Sequence, residues 1–166
     1  MGFLSGGAAW HASLMRKVMF PMVLPLLLSV GCGSEVEVHI YDARVLEALA
    51  HLDAEVELSD SGRVSDLNLE GQAIAADDWQ AICELAELHR LSLYGATFEL
   101  SHLKDLANLG RLEALGVGKT ALTDEGLQCL VDIPNLRWLW LFGCDQLTEA
   151  GINDFRAARP DVEVYQ

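Results

Sequence analysis

Few residues in this chain are spaced for bond-making chemistry. His11, His39, His51, His89 and His102 are scattered. They form no His-Glu-x-x-His phrase and no i, i+4 pair that would place two imidazoles on one helix face around a metal. Cys32, Cys83, Cys129 and Cys144 show no Cys-x-x-Cys spacing, which points away from zinc ligation and from a dithiol couple. Asp77-Asp78 stands just before Trp79 at an expected helix start, where carboxylates ordinarily complement the helix dipole. No glycine-rich phosphate loop follows a strand-like run, and no nucleophile elbow is present. The expectation is a protein that is not an enzyme and takes no cofactor and no metal. The chemistry that remains is recognition. Trp138, Trp140 and Phe142 alternate along one short run, and Arg90 and Tyr94 sit in a matching run upstream. Exposed aromatic and arginine side chains are the common material of binding hot spots.

The elements that position these residues repeat every 24 residues. Val64-Ser65-Asp66-Leu67-Asn68-Leu69, Leu88-His89-Arg90-Leu91-Ser92-Leu93, Leu112-Glu113-Ala114-Leu115-Gly116-Val117 and Leu136-Arg137-Trp138-Leu139-Trp140-Leu141 all read apolar-x-x-Leu-x-apolar. Each phrase then leads to an apolar set at helical spacing: Trp79/Ile82/Leu85, Leu103/Leu106/Leu109, Leu127/Leu130/Ile133 and Ile152/Phe155. Period 2 giving way to a period near 3 means a short strand followed by a helical segment in every unit. Thr123-Asp124-Glu125-Gly126 and Thr148-Glu149-Ala150-Gly151 supply threonine N-caps with carboxylates in the first turn. Asp145-Gln146 carries a one-residue insertion before the last of these helices.

This pattern resembles the leucine-rich repeat family, with its L-x-x-L-x-L-x-x-N/C-x-L consensus, over residues 64–161. Cys144 at the Asn/Cys position and the Thr-Asp-x-Gly-Leu segment make it most similar to the cysteine-containing subtype common in bacteria. Gln72, Ala96 and Thr120 occupy that position elsewhere, so a regular asparagine ladder is not expected. The resemblance implies an α/β solenoid, with a parallel β-sheet on the concave face and helices on the convex face. An N-terminal helix plus hairpin closes one end: Val45, Leu46, Leu49 and Leu52 share a helical face, and two alternating runs flank Asp60-Ser61-Gly62. The cap covers 42–63, repeats start at 64, 88, 112 and 136, and residues 162–165 form a last edge strand after Arg159-Pro160-Asp161.

The front of the chain resembles a bacterial lipoprotein signal. Met15-Arg16-Lys17 is a charged start, Val18 to Val30 an apolar stretch too short to span a bilayer comfortably, and Leu28-Ser29-Val30-Gly31-Cys32 is similar to a lipobox. The resemblance implies that residues 1–31 are a signal region (Met15 being the expected true start), that Cys32 is the lipid attachment residue, and that residues 32–41 are a tether. A signal peptide cut elsewhere and an uncleaved anchor are the alternatives. The expected location is the bacterial cell envelope, lipid-anchored to the outer membrane or periplasmic face. Without Arg16 and Lys17 the remainder carries nine basic against 25 acidic residues. That balance argues against nucleic acid and against anionic membrane surfaces as partners of the folded part.

In such a sheet, equivalent outward positions form columns across strands about 4.8 Å apart. The columns are Asp66/Arg90/Ala114/Trp138, Asn68/Ser92/Gly116/Trp140 and Glu70/Tyr94/Gly118/Phe142. Arg90, Tyr94, Trp138, Trp140 and Phe142 are the candidate binding surface, flanking a bare strip of Ala114, Gly116 and Gly118. The expected partner is a protein, peptide or glycan of unknown identity. The competing expectation is a structural envelope protein with no discrete ligand, in which these aromatics only pack.

Overall fold

The computed structural model describes residues 40–166; the signal region, Cys32 and all but the last two tether residues lie outside the described residues. The fold is α/β, with a six-stranded and mostly parallel sheet. Helix α1 (Ile40–Ala48) leads into β1 (Glu55–Leu58) and β2 (Val64–Asn68), which pair antiparallel. The order then runs α2 (Ala76–Cys83), β3 (Arg90–Ser92), a 3-10 helix (Leu100–Asn108), β4 (Ala114–Gly116), α3 (Asp124–Cys129) with a short 3-10 turn (Leu130–Asp132), β5 (Trp138–Trp140), α4 (Glu149–Ala158) and β6 (Glu163–Tyr165). Strands follow one another across the sheet in chain order, and every pairing from β2 to β6 is parallel. No helix among the described residues is long and apolar enough to cross a membrane.

The strand phrase explains the two-layer arrangement. Leu67, Leu69, Leu91, Leu93, Leu115, Val117, Leu139 and Leu141 point to one side and are at most 3% exposed. They meet Trp79, Ile82, Leu85, Leu103, Leu106, Leu109, Leu127, Leu130, Ile133 and Phe155 from the helical segments, all buried. Each such side chain contributes about 1.5–3 kcal/mol by leaving water, so the spacing of leucines places the core between sheet and helices. The other side of the sheet faces away from the helices and is termed here the open face.

Each unit leaves its strand through a residue in the left-handed backbone region. These are Gly71 (φ 71°), Gly95 (φ 66°), Lys119 (φ 52°) and Gly143 (φ 73°). Glycine suits this conformation because it has no Cβ to meet the following carbonyl. Lys119 is the exception, and it borders the open face. After the turn, Thr123 Oγ1 accepts from the Gly126 N–H (3.3 Å) and Thr148 Oγ1 from the Gly151 N–H (3.1 Å), which starts α3 and α4. The second unit differs from the expected helix. Leu100, Leu103, Leu106 and Leu109 recur at a strict interval of three, and the segment forms a 3-10 helix, whose three residues per turn align them on one side. Its N-cap residue Glu99 makes no side-chain capping hydrogen bond.

The tether ends earlier than its spacing suggests, because α1 already begins at Ile40. Its last regular residue is Ala48, and Leu49 to Leu52 continue as looser turns closed by Leu49 N–H to Val45 O (3.0 Å) and Leu52 N–H to Leu49 O (2.9 Å). The two ends of the sheet are each tied by charged side chains, fully buried only at Asp42. Asp42 in α1 is 2% exposed and accepts from Arg63 Nε (3.0 Å) and the Val64 N–H (2.7 Å), fixing the start of β2. At the far end Arg159 donates to the carbonyls of Val131 (2.8 Å), Ile133 (2.7 Å) and Leu136 (3.1 Å), and its fork is closed by Asp161. These carbonyls lead into β5, so Arg159 anchors the last unit to the one before it.

Candidate binding surface

Parallel register sets the open-face columns. Asp66, Arg90, Ala114, Trp138 and Glu163 pair in sequence, as do Asn68, Ser92, Gly116, Trp140 and Tyr165. The third column continues the ladder beyond the strand ends through Gly71 N–H to Tyr94 O (2.9 Å), Gly95 N–H to Gly118 O (2.8 Å) and Lys119 N–H to Phe142 O (2.8 Å). All five candidate residues therefore share one face. Phe142 is 43% exposed, Trp138 and Trp140 are half-buried, Tyr94 is half-buried and Arg90 is exposed.

The strip between them is not an open groove. Ala114, Gly116 and Gly118 are all buried. At Gly118 the reason is direct: a Cβ there would stand 2.8 Å from Tyr94 Cδ2 and 2.7 Å from the Phe142 carbonyl oxygen. The Tyr94 ring lies over the glycine and fills the place a side chain would take. Small residues in the third unit thus let a large neighbour lie flat, and the face is continuous rather than furrowed.

Lys119 completes this corner. Its Nζ stands 5.2 Å from the centre of the Tyr94 ring, and its stem packs along Gly143. A hydrogen bond with Tyr94, aided by the charge of Glu70, holds the lysine ammonium above its ordinary pKa. A cation over an aromatic face is attracted by the negative face of the ring. That attraction offsets part of what a non-glycine residue costs in the left-handed region. The alignment of Gly71, Gly95 and Gly143 with Lys119 was visible in the sequence as one departure from a column of glycines.

Arg90 is not a free hot-spot cation. It is ion-paired with Asp66 in the adjacent strand and lies 3.7 Å from Glu57 in β1. Its carboxylate neighbours come from the same column and from the antiparallel strand, which the sequence placed in the cap. The aromatic end gains a member instead. Tyr165 in β6 is 39% exposed and stacks on Trp140, with ring centres 5.5 Å apart and planes at 10°. Its hydroxyl donates to Glu163 (2.6 Å), which raises the phenol pKa above its ordinary value. The alternation of Glu163 and Tyr165 in phase with Trp138 and Trp140 is the signal that could have found it.

A cleft of about 460 Å³ opens beside Trp138, between the loop that carries Asn135 and Arg137 and the stretch from Asp161 to Glu163. Its polar groups are largely engaged: Asn135 donates to the Gly110 carbonyl (2.6 Å), and Asp161 is held by Arg159, whose hydrogen bonds keep its carboxyl below the usual range. The cleft extends the aromatic end of the open face toward the chain segment before β5.

The three cysteines among the described residues are free thiols. Cys144 is buried and donates to the Val117 carbonyl (3.1 Å), the same oxygen that accepts from Thr120 Oγ1 (2.7 Å). These equivalent positions of two successive units form a two-rung ladder in place of a regular asparagine one. Burial, with the Asp105 charge nearby, pushes the Cys83 thiol up to about 11, so at neutral pH it is not the thiolate that reactivity requires. No group of three or more His, Cys, Asp or Glu side chains among the described residues converges as metal ligands would. No family model matches the chain, and no curated protein matches it.

Proposed function

We propose that this chain is a leucine-rich repeat solenoid, carried on a lipid at Cys32 in the bacterial cell envelope, that works as a protein- or ligand-binding module and not as an enzyme. The observation that carries the reading is the aromatic end of the open face. Among the described residues Phe142 and Tyr165 are the large apolar side chains left most exposed, and they adjoin Trp138 and Trp140 on one continuous surface. Exposing such side chains costs solubility unless a partner covers them. The strand-by-strand register at the 24-residue period supports the repeat reading. Cys32 and its lipobox-like context support the anchor.

The test uses Phe142→Ala with Tyr165→Ala in the full chain, cross-linked in envelope membranes. Both side chains are exposed, so the melting temperature should hold within a few degrees. A partner recovered with the unaltered protein should be lost with the double variant. A Cys32→Ser chain should leave the membrane fraction. Full membrane retention of that variant overturns the anchor, and undiminished capture by the double variant overturns the binding surface.

The second reading, a structural protein without a discrete ligand, has one observation in its favour. The Trp140–Tyr165 stack and the fit of Tyr94 over Gly118 already occupy much of the aromatic area internally. Under that reading no open-face substitution changes any association, while Trp140→Ala lowers thermal stability.

A further inference from the structure

The open face is divided by chemistry. At the β1–β3 end stand Glu55, Glu57, Asp66 and Glu70, against Arg90 and the Lys119 side chain. At the β5–β6 end stand Trp138, Trp140, Phe142 and Tyr165. Between the two lie the flush positions Ala114 and Gly116, and the Ser92 hydroxyl, which has no hydrogen-bond partner among the described residues. Resting on the binding-module reading above, we propose that the occupant of this face is an extended peptide segment, basic at one end and apolar at the other, lying across the strands.

Charge complementarity selects the basic end. The carboxylates outnumber the cations at the β1–β3 end, and the chain as a whole carries a formal charge of −14, so an acidic or neutral segment gains nothing there. Arg90 is held by Asp66 and Glu57 and is not offered to an anionic ligand. Phe142 and Tyr165, exposed beside the tryptophans, select an apolar or aromatic side chain at the other end. Dimensions favour a peptide over a compact ligand. From β2 to β5 the face crosses three strand spacings, about 14 Å, which roughly four residues of extended chain cover. The segment therefore places its lysine or arginine about four positions from its apolar anchor. In between, small flush residues allow a backbone to lie close to the sheet, with the Ser92 hydroxyl as a hydrogen-bond partner.

The experiment is fluorescence anisotropy of the full chain with labelled seven-residue peptides. One carries two lysines at one end and leucine and phenylalanine at the other, separated by serines. A second replaces the lysines with glutamates, and chitohexaose serves as a neutral glycan competitor. The basic–apolar peptide should bind about tenfold more tightly than its acidic counterpart, and the difference should shrink as salt rises. Glu55→Lys with Glu70→Lys, both exposed positions, should reverse the preference, an outcome that loss of folding cannot mimic. Phe142→Ala with Tyr165→Ala should weaken both peptides by about tenfold.

Equal binding of the two peptides, or a charge swap that leaves their order unchanged, overturns the inference. So does the absence of binding by either. If both bind equally and the aromatic variant abolishes both, the basic-segment inference fails while the binding-surface reading stands. Displacement of the label by chitohexaose likewise replaces the peptide with a glycan and leaves the module intact. If the aromatic variant changes nothing for any probe, both readings fall together.

Discussion

Gly118 and Lys119 exchange the roles that residues at this turn play elsewhere in the chain. In three of the four units the left-handed position is glycine, at 71, 95 and 143. In the remaining unit it is Lys119, and the residue before it, at a position held by Glu70, Tyr94 and Phe142 in the others, is glycine. The exchange has a physical reading: the space that Gly118 vacates receives the Tyr94 ring, and the Lys119 ammonium then covers that ring. Gly118→Ala should therefore cost about 1–3 kcal/mol, since its Cβ meets a backbone oxygen as well as the ring and neither has room to yield. Chemical denaturation gives the value directly. A cost below about 0.5 kcal/mol would show that Tyr94 moves aside freely and that the corner is not the rigid fit described. The sequence made Tyr94 visible as a face residue but could not show that it lies over its neighbour. Which way a side chain leans across a column depends on the volumes beside it, and these become neighbours only once the strands are in register.

Between units, the clearest link is a carboxylate. Asp124, in the first turn of α3, accepts from the Thr148 N–H (2.9 Å) and hydroxyl (2.6 Å), and Thr148 itself caps α4. These bonds hold the Asp124 carboxyl below its ordinary value of 3.8. Gly151 has to be glycine for the same reason, because a Cβ there would run into the Asp124 carboxyl group. Asp124→Ala and Gly151→Ala should each destabilise, and the double variant should lose markedly less than the sum, since both break one contact. The sign with pH follows from the depressed pKa. The contribution is present above the unfolded value and is lost as pH falls through and below 3.8. Urea midpoints of the unaltered chain and Asp124→Ala should thus differ at pH 6 and draw together as pH falls below 3.8. Additive losses, or a gap that persists in acid, would place the linkage elsewhere. The helices and their threonine caps were legible from spacing, as were the strand columns and the last edge strand. The inter-unit bond was not, because Asp124 and Thr148 read separately as two ordinary helix starts. The 3-10 segment was half-legible: its strict interval of three was in the sequence, but a period near 3 also fits a short stretch of α-helix.

At the scale of the molecule, contact runs along the chain order. Among the described residues strands pair only with their sequence neighbours, and the helical segments pack in the same succession. If the units stack as the proposed solenoid does, stability is a sum of units and their interfaces, and opening can begin at either end. The two ends are held differently, by Asp42 through Arg63 and the Val64 N–H, and by Arg159 through three carbonyls and Asp161. Arg159 is a suitable lever because removing it leaves partly buried acceptors without donors, at about 1–3 kcal/mol each where water cannot reach. Lysine does not replace it, since a single ammonium lacks the fork that spans all three oxygens. In amide hydrogen exchange, Arg159→Ala should sharply reduce protection of Leu141, whose N–H bonds Tyr165 O in the last strand pair. Val117, bonded to Trp140 O, should lose less, and Leu69, bonded to Ser92 O, should keep its protection. Such a gradient is what a one-dimensional array gives. Equal loss at Leu69, Val117 and Leu141 would instead mean one cooperative unit, and stability would then not divide along the 24-residue period even though the strands follow it.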